Sequence, residues 1–465
     1  MDWKERADLV ILGGGPAGYL AAIRAAQLGS RVTIVEHDQI GGVCLNRGCI
    51  PTKALLRTTE IDALVRKGAE FGVTPSSAST NWTAAHSRKT RVVKSLRMGV
   101  EFLLRNDRIH LVRGSGDFTH FDRLKVETEE GVLELQSKKF LVATGSMPMR
   151  PPIPGIEAPT VLTSNEILEM ETVPNRLAII GGGVIGLEFA QMFNELGSKV
   201  TVIEMADQVL PNEDSEMAAE VLKSMKRQRI TIRLSSMVTG IVAADAVTTV
   251  NFMSQGNEEQ VEADYVLLAA GRKPSVPNGL LALGAAMDAK GALVVNEHLA
   301  TSIPGIYAAG DVIGGKMLAH KAYAEGRIAV ENALGLSKVM TYNALPSCVY
   351  IQPELAAVGM TEQEAAEKGH EVRVGRFMFR NNGRALCMGE RDGLVKVIID
   401  SRTRIILGAQ IFGPSATELI SELSMAIAFN HTADEVADLI HPHPTLSEAV
   451  MEACADAVGR SIHKG

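Results

Sequence analysis

Asp8-Leu-Val-Ile-Leu-Gly-Gly-Gly-Pro-Ala-Gly18 is an apolar run entering a glycine turn, and Arg176-Leu-Ala-Ile-Ile-Gly-Gly-Gly-Val-Ile-Gly186 repeats it. The glycines stand at 13, 15 and 18 in the first copy and at 181, 183 and 186 in the second. Each turn leads into a helical pattern, a Leu-Gly-Ser turn and a second strand, Arg31 to Glu36 or Lys199 to Glu204, at a constant offset of 168 (204 − 36). Two copies of one βαβ unit are the economical reading. In such a unit the first glycine permits the tight turn and the second lets the backbone approach a pyrophosphate. The third allows close helix contact, and the helix N-terminus faces the anion. The Glu that closes the second strand accepts hydrogen bonds from ribose hydroxyls. Glycine turns also join strands to helices for packing alone, but each copy here supplies every part, which predicts two dinucleotide sites. At the second, the Glu204 carboxylate repels a 2′-phosphate and the next basic residue along the chain is Lys223, so NAD is expected over NADP.

Outside the repeat, the length of 465 residues leaves room for roughly three domains. Lys plus Arg number 47 against 54 Asp plus Glu, and a net charge of −7 exerts no pull on phosphate backbones or anionic lipid, so neither nucleic acid nor membrane is an expected partner. No uncharged apolar stretch approaches the ~18 residues of a spanning helix. Met1 to Asp8 runs straight into a strand without the features of a signal peptide, which makes the cytoplasm the expected location. Phe140 to Ser146 reads as a strand ending in a small-residue turn, and the prolines at 148, 151, 152 and 154 read as a linker. Asp264 to Pro274 repeats the strand-then-glycine form and returns the chain to the first domain. The expected division is 1–146, an inserted 147–271, a segment 272–341 completing the first domain, and 342–465. In the last, alternation over Gly393 to Asp400 and Ile405 to Phe412 suggests antiparallel strands and Ala416 to Asn430 has helical spacing, an α+β unit.

Five cysteines are too few and too odd a count for a disulfide framework, but two stand close together, in Gly41-Gly-Val-Cys-Leu-Asn-Arg-Gly-Cys-Ile-Pro-Thr-Lys53. A zinc site needs two further ligands at short spacing, whereas Cys348, Cys387 and Cys454 lie singly and far off, so no metal is expected. Idle core thiols do not require flanking glycines; a dithiol that cycles with a disulfide does, because the chain has to bend to bring the sulfurs together. Such a couple links hydride chemistry to thiol exchange. Near the other end lies His441-Pro-His-Pro-Thr-Leu-Ser-Glu448. An imidazole there can take a proton from an attacking thiol, with a carboxylate orienting its far nitrogen.

Taken in order with Ala269 to Arg272, Thr301 to Asp311, Met317 to Lys321 and Pro353 to Gly359, these motifs resemble those of the pyridine nucleotide-disulfide oxidoreductases from end to end. The resemblance implies an α/β fold with two Rossmann-like dinucleotide-binding domains, for FAD and NAD, and a C-terminal α+β dimerisation domain. FAD would lie on the first repeat against Gly13, Gly15, Gly18 and Gly145, with Glu36 on the adenosine ribose and Gly116 near the adenine. Lys53, paired with Glu188, would sit beside the flavin. Asp311 would meet the ribityl and pyrophosphate region, and Met317, Leu318, Ala319 and His320 would offer backbone amides to the ring. NAD would contact Gly181, Gly183, Val184, Ile185, Gly186, Glu204, Val238, Ala269, Gly271 and Arg272.

The resemblance also implies oxidation of a protein-bound dihydrolipoyl group with reduction of NAD⁺. His443 would deprotonate the substrate thiol that attacks Cys44, Cys49 would be the sulfur nearer the flavin, and Glu448 would support His443. It implies a homodimer in which His443 and Glu448 act on the partner's cysteines, serving a lipoyl-bearing carrier of the E2 or H-protein type. An NAD(P)H-dependent reductase of another small disulfide and a non-catalytic FAD-binding assembly subunit are the alternatives. The chain departs from the family pattern at Thr52, Ser275, Ile351-Gln352 and Tyr323-Ala324, the last replacing an acidic pair near the flavin.

Overall fold

The computed structural model describes residues 7–74, 80–244 and 247–464. The stretch before Ala7, on which the expectation of no signal peptide partly rests, lies outside the described residues. The first sheet has five parallel strands in the order Ile306–Ala308, Phe140–Val142, Leu9–Leu12, Val32–Glu36 and Ile109–Arg113. Its central strand is apolar throughout because both faces are covered. Leu9 and Ile11 point to a core shared with the helices Pro16–Gln27 and Ala319–Ala333, while Val10 and Leu12 point to one shared with a three-stranded antiparallel sheet, Ser115–His120, Arg123–Thr128 and Gly131–Gln136.

The second sheet repeats this plan. Its order is Thr231–Arg233, Lys199–Ile203, Arg176–Ile180, Tyr265–Leu268 and Val161–Thr163, again parallel. Leu177 and Ile179 pack with the helices Val184–Glu195 and Ser215–Arg227, and Ala178 and Ile180 pack under a second antiparallel sheet, Ser236–Ala243, Thr248–Ser254 and Asn257–Ala263. The sequence repeat is thus a repeat of layers as well as of turns.

Two connections join the units. The chain enters and leaves the second through the antiparallel pair Ser146–Pro148 and Arg272–Pro274, so the prolyl segment read as a linker is tied down at its start. Arg272 fixes that junction by donating from Nε to Ser146 Oγ and from Nη2 to the Ser146 carbonyl, both at 2.8 Å. Further on, Ile306–Ala308 closes the edge of the first sheet beside Phe140–Val142, the return that the Asp264 to Pro274 pattern suggests.

The C-terminal unit is an antiparallel sheet in the order Ser347–Val349, Glu354–Gly359, Ile406–Gly413, Leu394–Asp400 and Val372–Met378. The expected strand pair and the helix Ala416–Ala428 are present, and that helix shares the core beneath the sheet with Glu448–Ala457. A buried ion cluster fastens this unit to the second one: Lys396 Nζ meets Asp214 at 2.9 Å, Glu216 at 3.0 Å and Glu362 at 3.2 Å. Among the described residues no helix is long and apolar enough to cross a membrane.

Candidate active site

Both glycine turns have one geometry. Gly13 and Gly181 adopt φ +104° and +112°, and a Cβ on either would lie 2.3 or 2.5 Å from the carbonyl oxygen of Ala143 or Ala269, at the end of the neighbouring strand. Gly18 and Gly186 press so closely on the carbonyls of Gly13 and Gly181 that a Cβ would sit at 1.8 and 2.0 Å. The helices that follow begin at Gly15 and Gly183 without a side-chain cap, leaving their first N–H groups for an anionic ligand.

The closing glutamates are held alike. Glu36 accepts from Gly14 N at 2.6 Å and Asp38 N at 2.8 Å; Glu204 accepts from Gly182 N at 2.5 Å and Ala206 N at 2.7 Å. Each carboxylate therefore stands beside its own glycine turn, a polar cradle that fits a ribose and pyrophosphate. Val238 stands two residues past Ser236, whose N–H bonds the Glu204 carbonyl at 2.9 Å. Gly116 lies over the strand end of the first, where a Cβ would be 2.8 Å from Leu12 Cδ1. Gly145 (φ +73°) has open space at its Cβ position. Asp311 accepts from Ser146 Oγ at 2.5 Å, the hydroxyl that also receives Arg272. The Arg272 guanidinium is thus turned toward Ser146 and Asp311. Met317 and Leu318 lead into the helix that starts at Ala319, and the His320 ring engages the Pro346 carbonyl at 2.8 Å, so this segment offers its backbone.

The redox motif is stitched to the first turn. Gly41 N donates to Gly14 O at 2.8 Å, and the missing Cβ of Gly42 lets it lie against Gly15 Cα. Asn46 Nδ2 spans the carbonyls of Gln39, Ile40 and Gly42 at 3.0 to 3.3 Å. Cys44 sits in the short helix Gly42–Arg47 and Cys49 opens the helix Cys49–Arg66, with Gly48 as the break between them. Both are thiols in the structure, partly buried, and hydrogen-bonded to each other. That hydrogen bond makes them unequal. The Cys44 S–H donated to Cys49 lowers the latter to about 7, against the effect of burial and with help from the Lys53 charge. Cys44 is pushed up by the same hydrogen bond and by burial, so it keeps the proton while Cys49 carries the thiolate.

Lys53, one turn after Cys49, reaches both oxygens of Glu188 at 2.9 and 2.8 Å. Glu188 is almost fully buried on the helix Val184–Glu195 and also accepts Tyr350 N at 3.0 Å. The Lys53 ammonium lies 4.5 Å from the centre of the Tyr350 ring. Tyr350, which sequence reasoning missed, therefore completes a three-way junction of the units. Its signal was available three residues before the Pro353-Glu354 motif.

At the C-terminal end, His443 Nδ1 lies 2.8 Å from Glu448 Oε1, and Glu448 Oε2 accepts Thr445 N at 2.8 Å. Burial raises the Glu448 carboxyl, but the Thr445 N–H and His443 more than offset it and hold the group below its ordinary range. The His443 side chain is 78% exposed, whereas that of His441 is 4% exposed with Nε2 on Glu422 at 2.8 Å and Nδ1 on the Leu439 carbonyl. Of the two histidines between prolines, one is built into the fold and the other presents a free ring edge. Within one chain and among the described residues, no hydrogen bond joins His443 to either cysteine. Apolar side chains stand exposed near this segment, Ile440 at 95% and Phe429 at 71%, as on a surface made to be covered.

Residues 7–326 match the pyridine nucleotide-disulphide oxidoreductase family and residues 345–454 match its dimerisation domain. The chain belongs to this family. It is a flavin-dependent disulfide oxidoreductase that uses FAD and NAD, and its C-terminal unit is a dimerisation domain. A dihydrolipoyl dehydrogenase of Bacillus subtilis is 41% identical over 98% of this chain and 99% of its own length. Among solved structures, LpdA from Mycobacterium tuberculosis is similar with a TM-score of 0.89 and 28% identity over 97% of this chain and 98% of that one. The Cu(II) complex of RclA from Escherichia coli, an HOCl-induced flavoprotein disulfide reductase, is similar with a TM-score of 0.87 and 32% identity over 98% and 99%.

Proposed function

We propose that this protein oxidises the dihydrolipoyl group of a lipoyl-bearing carrier, of the E2 or H-protein type, with reduction of NAD⁺. It acts as a homodimer in which each site joins Cys44 and Cys49 of one chain to His443 and Glu448 of the partner subunit. The observation that carries this reading is the His443–Glu448 pair: an imidazole oriented for proton transfer, on an exposed surface of a dimerisation domain, with no hydrogen bond to a thiol of its own chain among the described residues. The relationship to the Bacillus subtilis dihydrolipoyl dehydrogenase supports the choice of substrate.

In the oxidative half-reaction His443 of the partner subunit takes the proton of one substrate thiol. That sulfur attacks Cys44 Sγ, the Cys44–Cys49 bond breaks, and Cys49 leaves as the thiolate that its surroundings favour. The second substrate thiol then attacks the first sulfur, closes the lipoyl disulfide and passes its proton to the departing Cys44, as the raised pKa of that thiol favours, while the imidazolium keeps the first proton until it is released. Glu448 holds Nδ1 throughout, which keeps Nε2 aimed at the sulfurs. FAD, when bound, supplies the two-electron carrier between this dithiol and NAD⁺. Gly13, Gly15, Gly18, Glu36, Lys53 and Asp311 would hold it, and Gly181, Gly183, Gly186 and Glu204 would hold the nicotinamide nucleotide. One proton is released per NADH formed.

We place the unit boundaries at 146, 271 and 341, and the protein in the cytoplasm, where reduced thiols persist. The alternative, reduction of another small disulfide, is less favoured, because the curated relatives at 37–41% identity are dihydrolipoyl dehydrogenases. Steady-state assays with dihydrolipoamide and NAD⁺, set against glutathione disulfide and NADH, separate the two. Turnover of the first pair with the second inert supports the lipoyl reading; the reverse overturns it. Hybrid dimers of Cys44→Ser and His443→Gln chains test the shared site. Mixing should restore activity absent from either parent, and no restoration sinks the arrangement.

A further inference from the structure

We propose that Glu325 is a positioning residue for FAD: buried beneath the loop 310–314, it sets Asp311 against the first glycine turn and, through Tyr342, ties that loop to the C-terminal unit. The inference rests on the placement of Asp311 at FAD proposed above. Glu325 is fully buried, and its two oxygens divide their work. Oε2 accepts Gly310 N, one residue before Asp311, at 2.8 Å. Oε1 takes the Lys321 ammonium at 2.8 Å and the Tyr342 hydroxyl at 2.7 Å. Lys321, also buried, donates to the Gly314 carbonyl at 3.1 Å. From one turn of the helix Ala319–Ala333 the pair therefore grips both ends of the loop, its first amide and its last carbonyl.

Gly310 and Gly314 have φ +82° and +69°, and between them Asp311–Ile313 makes a single 3-10 turn. A turn between two such glycines keeps its place only where outside groups hold it. The gripping helix is itself locked to the first nucleotide turn: at Gly326 a Cβ would be 2.4 Å from the carbonyl of Ala17, on the helix that follows Gly15. On its other side the Asp311 carboxylate accepts Ser146 Oγ at 2.5 Å, so its position is set from two directions. Tyr342 brings in the C-terminal unit, standing just ahead of the dimerisation domain matched from residue 345. Its ring is 44% exposed, and among the described residues its hydroxyl makes no other hydrogen bond. Burial, then the Glu325 charge, pushes the phenol up, so it stays a donor over the working pH range. A hydrogen bond to a buried charge is among the strong ones, and its loss leaves the carboxylate short of a partner.

The test measures how fast the FAD-loaded protein releases its flavin on dilution, read as the rise of free-flavin fluorescence. Tyr342→Phe removes one hydroxyl and should speed release about fivefold or more. Glu325→Gln should speed it about tenfold or more, because an amide offers one acceptor atom to three donors. Combined with Asp311→Asn, the Tyr342→Phe effect should shrink to less than about twofold; combined with Glu36→Gln, at the ribose end of the cofactor, it should persist in full. The same Tyr342→Phe effect in both combinations, whether kept or lost, marks a general loosening of the unit and overturns the inference. Faster release in Asp311→Asn with the parent rate in Tyr342→Phe overturns the inference alone. The parent rate in Asp311→Asn sinks the placement of Asp311 at FAD and the inference with it.

Discussion

Lys53 Nζ lies 2.8 Å from Glu188 Oε2, across the boundary between the two nucleotide-binding units. Glu188 is 4% exposed and Lys53 31%, so one partner of the pair is buried and the other reaches water. Glu188→Ala leaves an ammonium and the Tyr350 N–H without their acceptor. The loss should be about 2 kcal/mol, below the roughly 3–5 of a fully buried pair because Lys53 keeps partial solvation. The urea midpoint of the first unfolding transition should fall accordingly, and Glu188→Gln, which can still accept from Tyr350, should fall less.

The thiol pair gives a pH signature. In the reduced protein the Cys49 thiolate should form with a midpoint of about 7, and alkylation by iodoacetamide should follow it. Cys44→Ala removes the hydrogen bond donated to the charged form, so the midpoint should move up toward the ~8.5 of a free cysteine. A midpoint that stays near 7 would assign the depression to Lys53 instead.

His443→Gln should lower kcat by about 10²–10⁴, the usual range for loss of a positioned base. Glu448→Gln should cost less, roughly tenfold, since Thr445 N can still bond to the amide oxygen and fix the loop. Steady-state kcat values of the two variants measure the difference.

Glu204 bridges two backbone N–H groups, and on the reading proposed above its carboxylate would repel a 2′-phosphate. Glu204→Ala should raise KM for NADH about tenfold, near 1.4 kcal/mol of lost interaction, and narrow the preference over NADPH. Initial rates with both nucleotides measure it.

Lys396, 3% exposed, holds Asp214, Glu216 and Glu362 together between the second and third units. Lys396→Met strips buried Asp214 of its cation, while Glu216 and Glu362 keep Arg376, and should cost about 2–3 kcal/mol, seen as a lower urea midpoint. Asp214→Asn should cost less, because its amide can still cap the helix Ser215–Arg227, where Asp214 now accepts from Glu216 N and Met217 N.

Much of this molecule follows from short stretches of chain. The glycines at 13, 18, 181 and 186 are dictated by local backbone demands, a positive φ or a contact that no Cβ survives, and such demands leave a mark on neighbouring residues alone. The unbroken apolar runs Leu9–Leu12 and Leu177–Ile180 likewise report two covered faces without reference to what covers them. The sequence by itself therefore determined the two glycine turns, the carboxylates Glu36 and Glu204 that close the following strands, the spacing of the two thiols and the His443–Glu448 element.

Only the tertiary structure decided what these parts meet. The junction of Lys53, Glu188 and Tyr350, the turn of Arg272 toward Ser146, the Tyr19–Tyr323 pair and the burial of His441 beside exposed His443 all join residues from separate elements. Such contacts depend on how whole layers pack, and packing between segments far apart along the chain leaves no periodic or spacing signal in either segment.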